Sequence, residues 1–548
     1  MYIDTSTTTI NGKTYTRCLL RESYRENGKV KNRTLGNISN CSEAEIAAMK
    51  LALKHKDNLS ALMNIQDVEL YDGPRVGVLY ALKTVAERIG LIKSLGSSYD
   101  AKLALWQIMA RLIGQGSPLS AVRMADSYGA CDVLNLEPFT EDDLYANLAW
   151  ITQEQERIEK QLFKNRLSLA SPELLLYDVT SSYLEGMENV LAAFGYNRDG
   201  KRGKKQIVIG LLCTTDGDPV AVRVFAGNTN DKSTVAEQIR TVAQIFGVES
   251  ITLIGDKGMI KTPQAKELTE AGLHYITTLS KPEIRMLLQA EVLQMDFFDR
   301  DLYEVDNKID NVRYILRRNP VRESEMARNR QERIQKIHRF VEEKNNYLAA
   351  SIKCDKEVAA KYLQKKIVQY KLNNILELEC QERVFTVKIN EEGLKEKALL
   401  DGCHVVKTDV KKEVLSAQQV HEQYKDLAKV EHAFRTFKQG HLEIRPVHVR
   451  TEASTRGHVF VVMLAYKIER YLSALWKQCE CTVPEGIDEL GSLRSVIVSH
   501  KGASCQRIPQ PRGLAEKLLT AADIILPLII EAKNVSVVTR KKLVKKRK

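Results

Sequence analysis

The sequence contains no paired CxxC sets, no apolar run long enough to cross a bilayer and no internal repeat. Its ten cysteines are scattered, only Cys479 and Cys481 standing close together, and no histidine accompanies them at zinc-finger spacing. Neither a disulfide framework nor a structural zinc is expected, and the pattern is that of a reduced, cytosolic protein. The apolar stretch IILPLII at 524–530 is interrupted by Pro527 and falls far short of the ~20 residues a membrane helix needs. A soluble chain with no membrane partner is expected.

At 548 residues with 44% hydrophobic content, the chain exceeds the size at which one core stops growing, so several domains are expected. Lys+Arg 82 against Asp+Glu 70 leaves a net charge of +12. That balance favours a polyanionic partner through phosphate neutralisation and counterion release.

Residues 1–72 open with short alternating segments in which Glu26-Asn27-Gly28 separates two strand-like runs, a β-hairpin unit. Over 73–165 the apolar period turns helical, with Asp126, Thr140 and Glu141 near helix starts; this reads as a helical DNA-binding or assembly domain. Residues 166–280 run ELLLYDVTSSYLE, KQIVIGLLCTTDG, PVAVRVFAGNTND, a helical KSTVAEQIRTVAQIFG and SITLIGDKGMI. Three strands, a helix and a strand predict a mixed sheet with a right-handed crossover. The pattern breaks over 281–395, where RESEMARNRQERIQKIHRFVEEKNN reads as an exposed charged helix and ERVFTVKIN as a strand, so this block reads as an insertion. Residues 396–480 resume the α/β domain at DGCHVVKTD. The last segment, 481–548, holds SLRSVIVSH, an amphipathic LAEKLLTAADII and a basic tail from Arg540, and is expected to be helical with a disordered end.

The stretch YKDLAKVEHAFRTFK, Tyr424 to Lys438, reads as a single helix with Tyr424, Leu427, Glu431, Phe434 and Lys438 on one inward stripe. A buried glutamate costs several kcal/mol unless it is paired or binds a cation. An i,i+4 pair with Arg435 supplies only about 0.2–0.5 kcal/mol at an exposed site. Asp178 closes the apolar run LLLY and Asp256 closes ITLIG, which predicts both at the C-terminal ends of strands, the edge where open α/β sheets place ligands. Taken alone, each aspartate reads equally as the start of a turn. With Glu431 they form three hard oxygen donors suited to Mg²⁺ or Mn²⁺ rather than zinc. Two such ions roughly 3.5–4 Å apart support in-line displacement at phosphorus. Lys438, on the same face, either reaches a phosphate there or snorkels at the helix end.

The spacing Tyr424-x2-Leu427-x3-Glu431-x6-Lys438 resembles the Y-x2-R-x3-E-x6-K signature of bacterial insertion-sequence transposases of the DDE class, in the insertion-sequence-four superfamily. The blocks ESYRENGKVKNRTLG, YDVTSSYLE, FAGNTNDKST, IGDKGMI and FRTFKQGHLEIRPVHVR resemble that superfamily in the same order and cover most of the chain. The resemblance implies an α/β fold: a ribonuclease-H-like catalytic core interrupted by a mostly β insertion domain. It implies Asp178, Asp256 and Glu431 as catalytic metal ligands for two Mg²⁺ or Mn²⁺ ions, and DNA contacts from Tyr424, Arg435, Lys438 and Arg445. The implied partners are DNA, as terminal repeats and target, and a second copy in a homodimeric synaptic complex, acting at the nucleoid in a bacterial cytoplasm. The implied reaction is cleavage at the terminal repeats and 3′-hydroxyl strand transfer. Leu427 stands where the signature has arginine, so that contact is absent or comes from Lys425 or Arg435. Trp106, Trp150 and Trp476 lie outside the insertion, so the tryptophan that stacks a flipped base in hairpin-forming relatives has no equivalent there, and Phe297, Phe298 or Tyr303 is the substitute. Two other readings share these residues: a ribonuclease-H-like nuclease without strand transfer, and a DNA-binding protein with a decayed core.

Overall fold

The computed structural model describes residues 1–10, 12–57, 68–167, 174–186, 188–246, 251–307, 311–350, 353, 355–439, 442–445, 447–500, 503–531 and 537. The basic tail from Arg540 lies outside the described residues. The chain forms two units, one of 1–73 with 494–509 and the strand Ile529–Ile530, the other of Pro74–Leu493 with Gln510–Leu526.

In the first unit, strands Tyr2–Ile10, Lys13–Glu26 and Lys29–Asn37 form an antiparallel meander. Asn27 (φ 47°) and Gly28 (φ 76°) both take positive φ, as a two-residue hairpin turn matching strand twist requires. Arg21 pairs with Asp4 at 2.8 Å, Arg33 with Glu22 at 2.6 Å, and Lys31 with Glu26; Arg17, Arg25 and Lys29 are exposed. A second sheet joins Val68–Arg75 to Arg494–His500, Ala503–Arg507 and Ile529–Ile530. The C-terminal segment is therefore not simply helical. The β-branched run Val496-Ile497-Val498 pairs as a strand, while Val483–Ser492 and, within the amphipathic run, Gly513–Ala521 are helices.

The second unit begins with helices that include Tyr99–Gly114, Pro118–Ser127 and Glu141–Gln153. Thr140 caps the last of these in a capping box with Asp143. Asp126 does not start a helix: it lies at the end of Pro118–Ser127, which Ser117 caps. Eight strands then build the central sheet: β1 Leu174–Tyr183, β2 Gln206–Thr214, β3 Pro219–Ala226, β4 Thr252–Gly255, β5 His274–Thr278, β6 Tyr303–Asn307, β7 Val312–Arg318 and β8 Cys403–Thr408. Their order is β6-β7-β8-β5-β4-β1-β2-β3. Helix α1 (Ala417–Lys425), helix α2 (Ala428–Gln439) and the long helix α3 (Glu452–Trp476) follow. The middle of α3 is buried on every side, from Val459 to Ile468, because it packs on β3 and on the helices Tyr99–Gly114 and Glu141–Gln153.

The segment 281–395 is not mostly β. Strands β6 and β7 extend the edge of the central sheet through β8, while the helices Pro320–Ala350 and Lys356–Gln369 outweigh the one further hairpin, Leu376–Gln381 with Val384–Ile389. Ile334, Ile337, Val341 and Leu348 recur at helical spacing and face Leu363, Ile367 and Phe385 in a core of their own. That period is 3.6, not 2, and it decides for helix.

Tyr177, fully buried, packs directly over Gly210 of β2, where a Cβ would stand 2.5 Å from the tyrosine Oη. Gly210→Ala is expected to cost about 1–3 kcal/mol through overpacking. Urea denaturation of the full chain checks this, and an unchanged midpoint would show that Tyr177 yields freely.

Candidate active site

Strands β1 and β4 run parallel, and their last aligned pair is Tyr177 with Gly255. The next residue on each chain is Asp178 and Asp256, so the register alone brings the two carboxylates side by side on strands about 4.8 Å apart. Asp178 does not close its strand as expected: β1 runs on to Tyr183, held by antiparallel pairing of Val179–Tyr183 with β2. It is the parallel partner that ends, and this opens the edge. Asp256 does close β4 and begins a tight turn, its carbonyl accepting from Met259 N (2.9 Å) and Ile260 N (3.2 Å).

Glu431 lies in the first turn of α2, where the helix dipole favours a carboxylate. Asp178, Asp256 and Glu431 line one cleft of about 390 Å³, together with Asp231, Arg198 and Tyr424. The Asp178 carboxyl is pushed up to about 7, first by burial and further by repulsion from Glu431 and Asp256, against the opposing pull of the Val179 N–H and Arg198. Its Oδ1 accepts that N–H at 2.8 Å. Tyr424 shares a 3.1 Å hydrogen bond with Thr278 Oγ1 and donates to Asp256 Oδ1 at 3.4 Å; burial is the main cause that raises its phenol to about 12.

Two expectations about the Tyr424–Lys438 stretch need correction. It is not one helix: α1 and α2 meet at Asp426-Leu427, where Leu427 N bonds Tyr424 O and Lys429 N bonds Asp426 O, three residues apart instead of four. That tightened turn puts α2 out of phase with α1. Leu427, Val430, Ala433, Phe434 and Phe437 are the buried positions, while Glu431 is exposed to the cleft. The carboxylate that carries the desolvation cost is Asp178.

Of the expected DNA contacts, only Tyr424 lines the cleft. Lys438 and Arg445 both bind the buried Asp199, at 2.8 and 2.7 Å, and Arg435 is exposed. Leu427, in the signature's arginine position, is buried. The guanidinium at the cleft is that of Arg198, held by Asp231 at 2.6 Å and by its backbone N–H to Ser181 Oγ at 2.9 Å. Sequence reasoning missed Arg198. The signal was the basic loop NRDGKRGKKQ between the first-aspartate strand and the next. Phe297 and Tyr303 stack on each other with centroids 4.3 Å apart, and Phe298 is buried, so all three serve packing.

Among the described residues no three His, Cys, Asp or Glu side chains are gathered closely enough to form a ready-made metal site. The donor set still suits a hard divalent cation in kind, being three carboxylates around one cleft in which burial first, and repulsion from Glu431 and Asp256 after it, lifts the Asp178 carboxyl. Also among the described residues, no helix is long and apolar enough to cross a membrane.

A family model for the transposase DDE domain matches residues 170–468, and one for the N-terminal domain of IS1634 family transposases matches residues 3–62. The chain is similar to a solved piggyBac transposase synaptic complex with hairpin DNA at 9% identity and a TM-score of 0.35, covering 76% of each chain. A likeness that weak carries no argument. No curated protein matches the chain.

Proposed function

This chain belongs to the DDE transposases and is an insertion-sequence transposase; from that premise we propose that Asp178, Asp256 and Glu431 are its catalytic carboxylates and hold divalent cations, Mg²⁺ or Mn²⁺, in a two-ion site. The observation that supports this most is the β1–β4 register, which sets Asp178 beside Asp256 at the head of a cleft also lined by Glu431. Bound there, the cations would supply an activated water or 3′-hydroxyl and charge stabilisation for the leaving oxygen.

The protein's own groups have separable tasks. Asp178, raised by burial and by its acidic neighbours, would be held ionised by a bound cation. Tyr424 fixes the Asp256 carboxylate through Oδ1. Arg198 faces the same cleft and neutralises a phosphodiester next to the acids. The reaction we propose is hydrolysis at the element's terminal repeats followed by attack of the freed 3′-hydroxyl on target DNA, in a homodimeric synaptic complex. The spacing of Tyr424, Glu431 and Lys438 supports placement in the insertion-sequence-four superfamily, with Leu427 as the departure.

The test is to incubate the full chain with the element's own end DNA and Mg²⁺, and to map nicks and joined products. Nicks at the repeat boundary with joining to a second duplex are expected. Nicks without joining would reduce the protein to a nuclease.

A further inference from the structure

We infer that the cation-lined pocket of the 281–401 region is a binding site for the phosphodiester backbone of DNA, separate from the acidic cleft; this rests on the transposase reading only for the identity of the polyanion. The pocket, about 300 Å³, is lined by Lys281, Arg322, Arg330, Arg333, Lys371 and Lys397 against the carboxylates Glu325 and Asp401. Both carboxylates are already engaged. Asp401, almost fully buried, takes Lys281 at 3.3 Å and Arg330 at closer range, and Glu325 takes Arg322 at 2.9 Å. Among the described residues no carboxylate pairs with Arg333, Lys371 or Lys397.

Like charges gathered without counter-ions raise the free energy of the fold, and the geometry increases that cost. Lys371 holds a left-handed backbone, φ 60°, which a non-glycine residue adopts only at an energetic penalty. Its carbonyl accepts the Lys397 ammonium at 2.5 Å, so two cations share one corner of the pocket. Burial depresses the Lys397 ammonium, and Arg330, Arg333, Lys371 and Arg285 all depress it further. An ordinary solvated helix face interleaves its charges, as Arg328 does with Glu332 on the outer side of the same helix. The pocket instead leaves three cations, Arg333, Lys371 and Lys397, without a carboxylate partner among the described residues around a concave surface. A phosphate would relieve the repulsion and accept their donors.

The test uses the full chain and a random-sequence duplex, with affinity measured across a salt series. Arg333→Gln with Lys397→Gln is expected to flatten the log–log salt slope by about 2, roughly 1 for each phosphate no longer neutralised. The same variant without DNA is expected to melt at or above the wild-type temperature, because removing repelled cations does not cost stability; this separates a binding defect from misfolding. Arg328→Gln, outside the pocket, is the control and should change the slope less. An unchanged slope in the double variant overturns the proposal, as does an equal loss from Arg328→Gln, which would mean a diffuse basic surface. Inorganic pyrophosphate separates the anion sources: a thermal shift in wild type that the double variant loses, combined with an unchanged DNA slope, would assign the pocket to a free anion and also overturn the proposal. Failure of the wild-type chain to bind any duplex would instead count against the transposase reading.

Discussion

Asp178→Ala, Asp256→Ala and Glu431→Ala are each expected to lower cleavage of element-end DNA by more than about a hundredfold, the loss that even an outer partner of a metal ligand can bring, while leaving duplex affinity within about twofold. The asymmetry follows from where the charges are. The three acids face one cleft and oppose a polyanion, so removing one cannot weaken attraction to phosphate, which comes from basic surfaces elsewhere. The variants should differ in stability. Asp178 is the half-buried member whose carboxyl is raised by burial, so its truncation relieves repulsion as well as removing a ligand. Glu431 is exposed, and its loss should leave the melting temperature nearly unchanged. Gel assays of nicking and joining, run beside thermal melts, read both quantities. Wild-type-like strand transfer by any of the three would remove that residue from the proposed triad.

The apolar runs LLLY and ITLIG, each followed by aspartate, made the two strand positions legible, because buried strands of a parallel pair read as continuous β-branched and aliphatic stretches. What the sequence could not show was the register. Nothing in either run says that Tyr177 aligns with Gly255, and that alignment is what juxtaposes the acids. The helix bearing Glu431 was legible in its period but not in its phase. Glu431 lies at the edge of the packed stripe, beside Val430 and Phe434, and a single tightened turn at Asp426-Leu427 sets the whole helix out of phase with Tyr424.

The 281–395 segment divides differently. Its charged stretch was correctly read as a helix, which the structure extends to Pro320–Ala350, but not as a wholly exposed one, since Ile334, Ile337 and Val341 bury one stripe; the mostly β expectation came from resemblance, and the local period outweighs it. The failure at Lys438 was of another kind. Its spacing from Glu431 placed it near the site, but no sequence rule pairs it with Asp199, 239 positions away.

Asp199 therefore carries the second large expectation. Its carboxylate is 1% exposed and receives Lys438 and Arg445, while Oδ2 accepts the Tyr183 N–H at 3.1 Å. It thus ties the end of β1, the basic loop, α2 and the segment after α2 at one point. Asp199→Ala strands two mostly buried cations and frees a strand-end N–H. Breaking one side of such a buried pair costs about 3–5 kcal/mol, with the lower end expected because Lys438 and Arg445 keep 11% and 18% exposure. Lys438→Met is expected to be milder in stability, since Arg445 still neutralises the carboxylate. Its effect should appear in rate instead. Asp199 follows Arg198 directly, and a loosened loop misplaces the one guanidinium that lines the cleft among the described residues; a misplacement of about 1 Å can cost about a hundredfold in rate. The measurement that separates clamp from DNA contact is the salt dependence of duplex binding. If Lys438 is a clamp, Lys438→Met cleaves more slowly with an unchanged slope, and its stability loss is non-additive with that of Asp199→Ala. If the slope instead falls by about 1 and the two losses add, Lys438 leaves Asp199 to contact a phosphate, and the clamp is wrong.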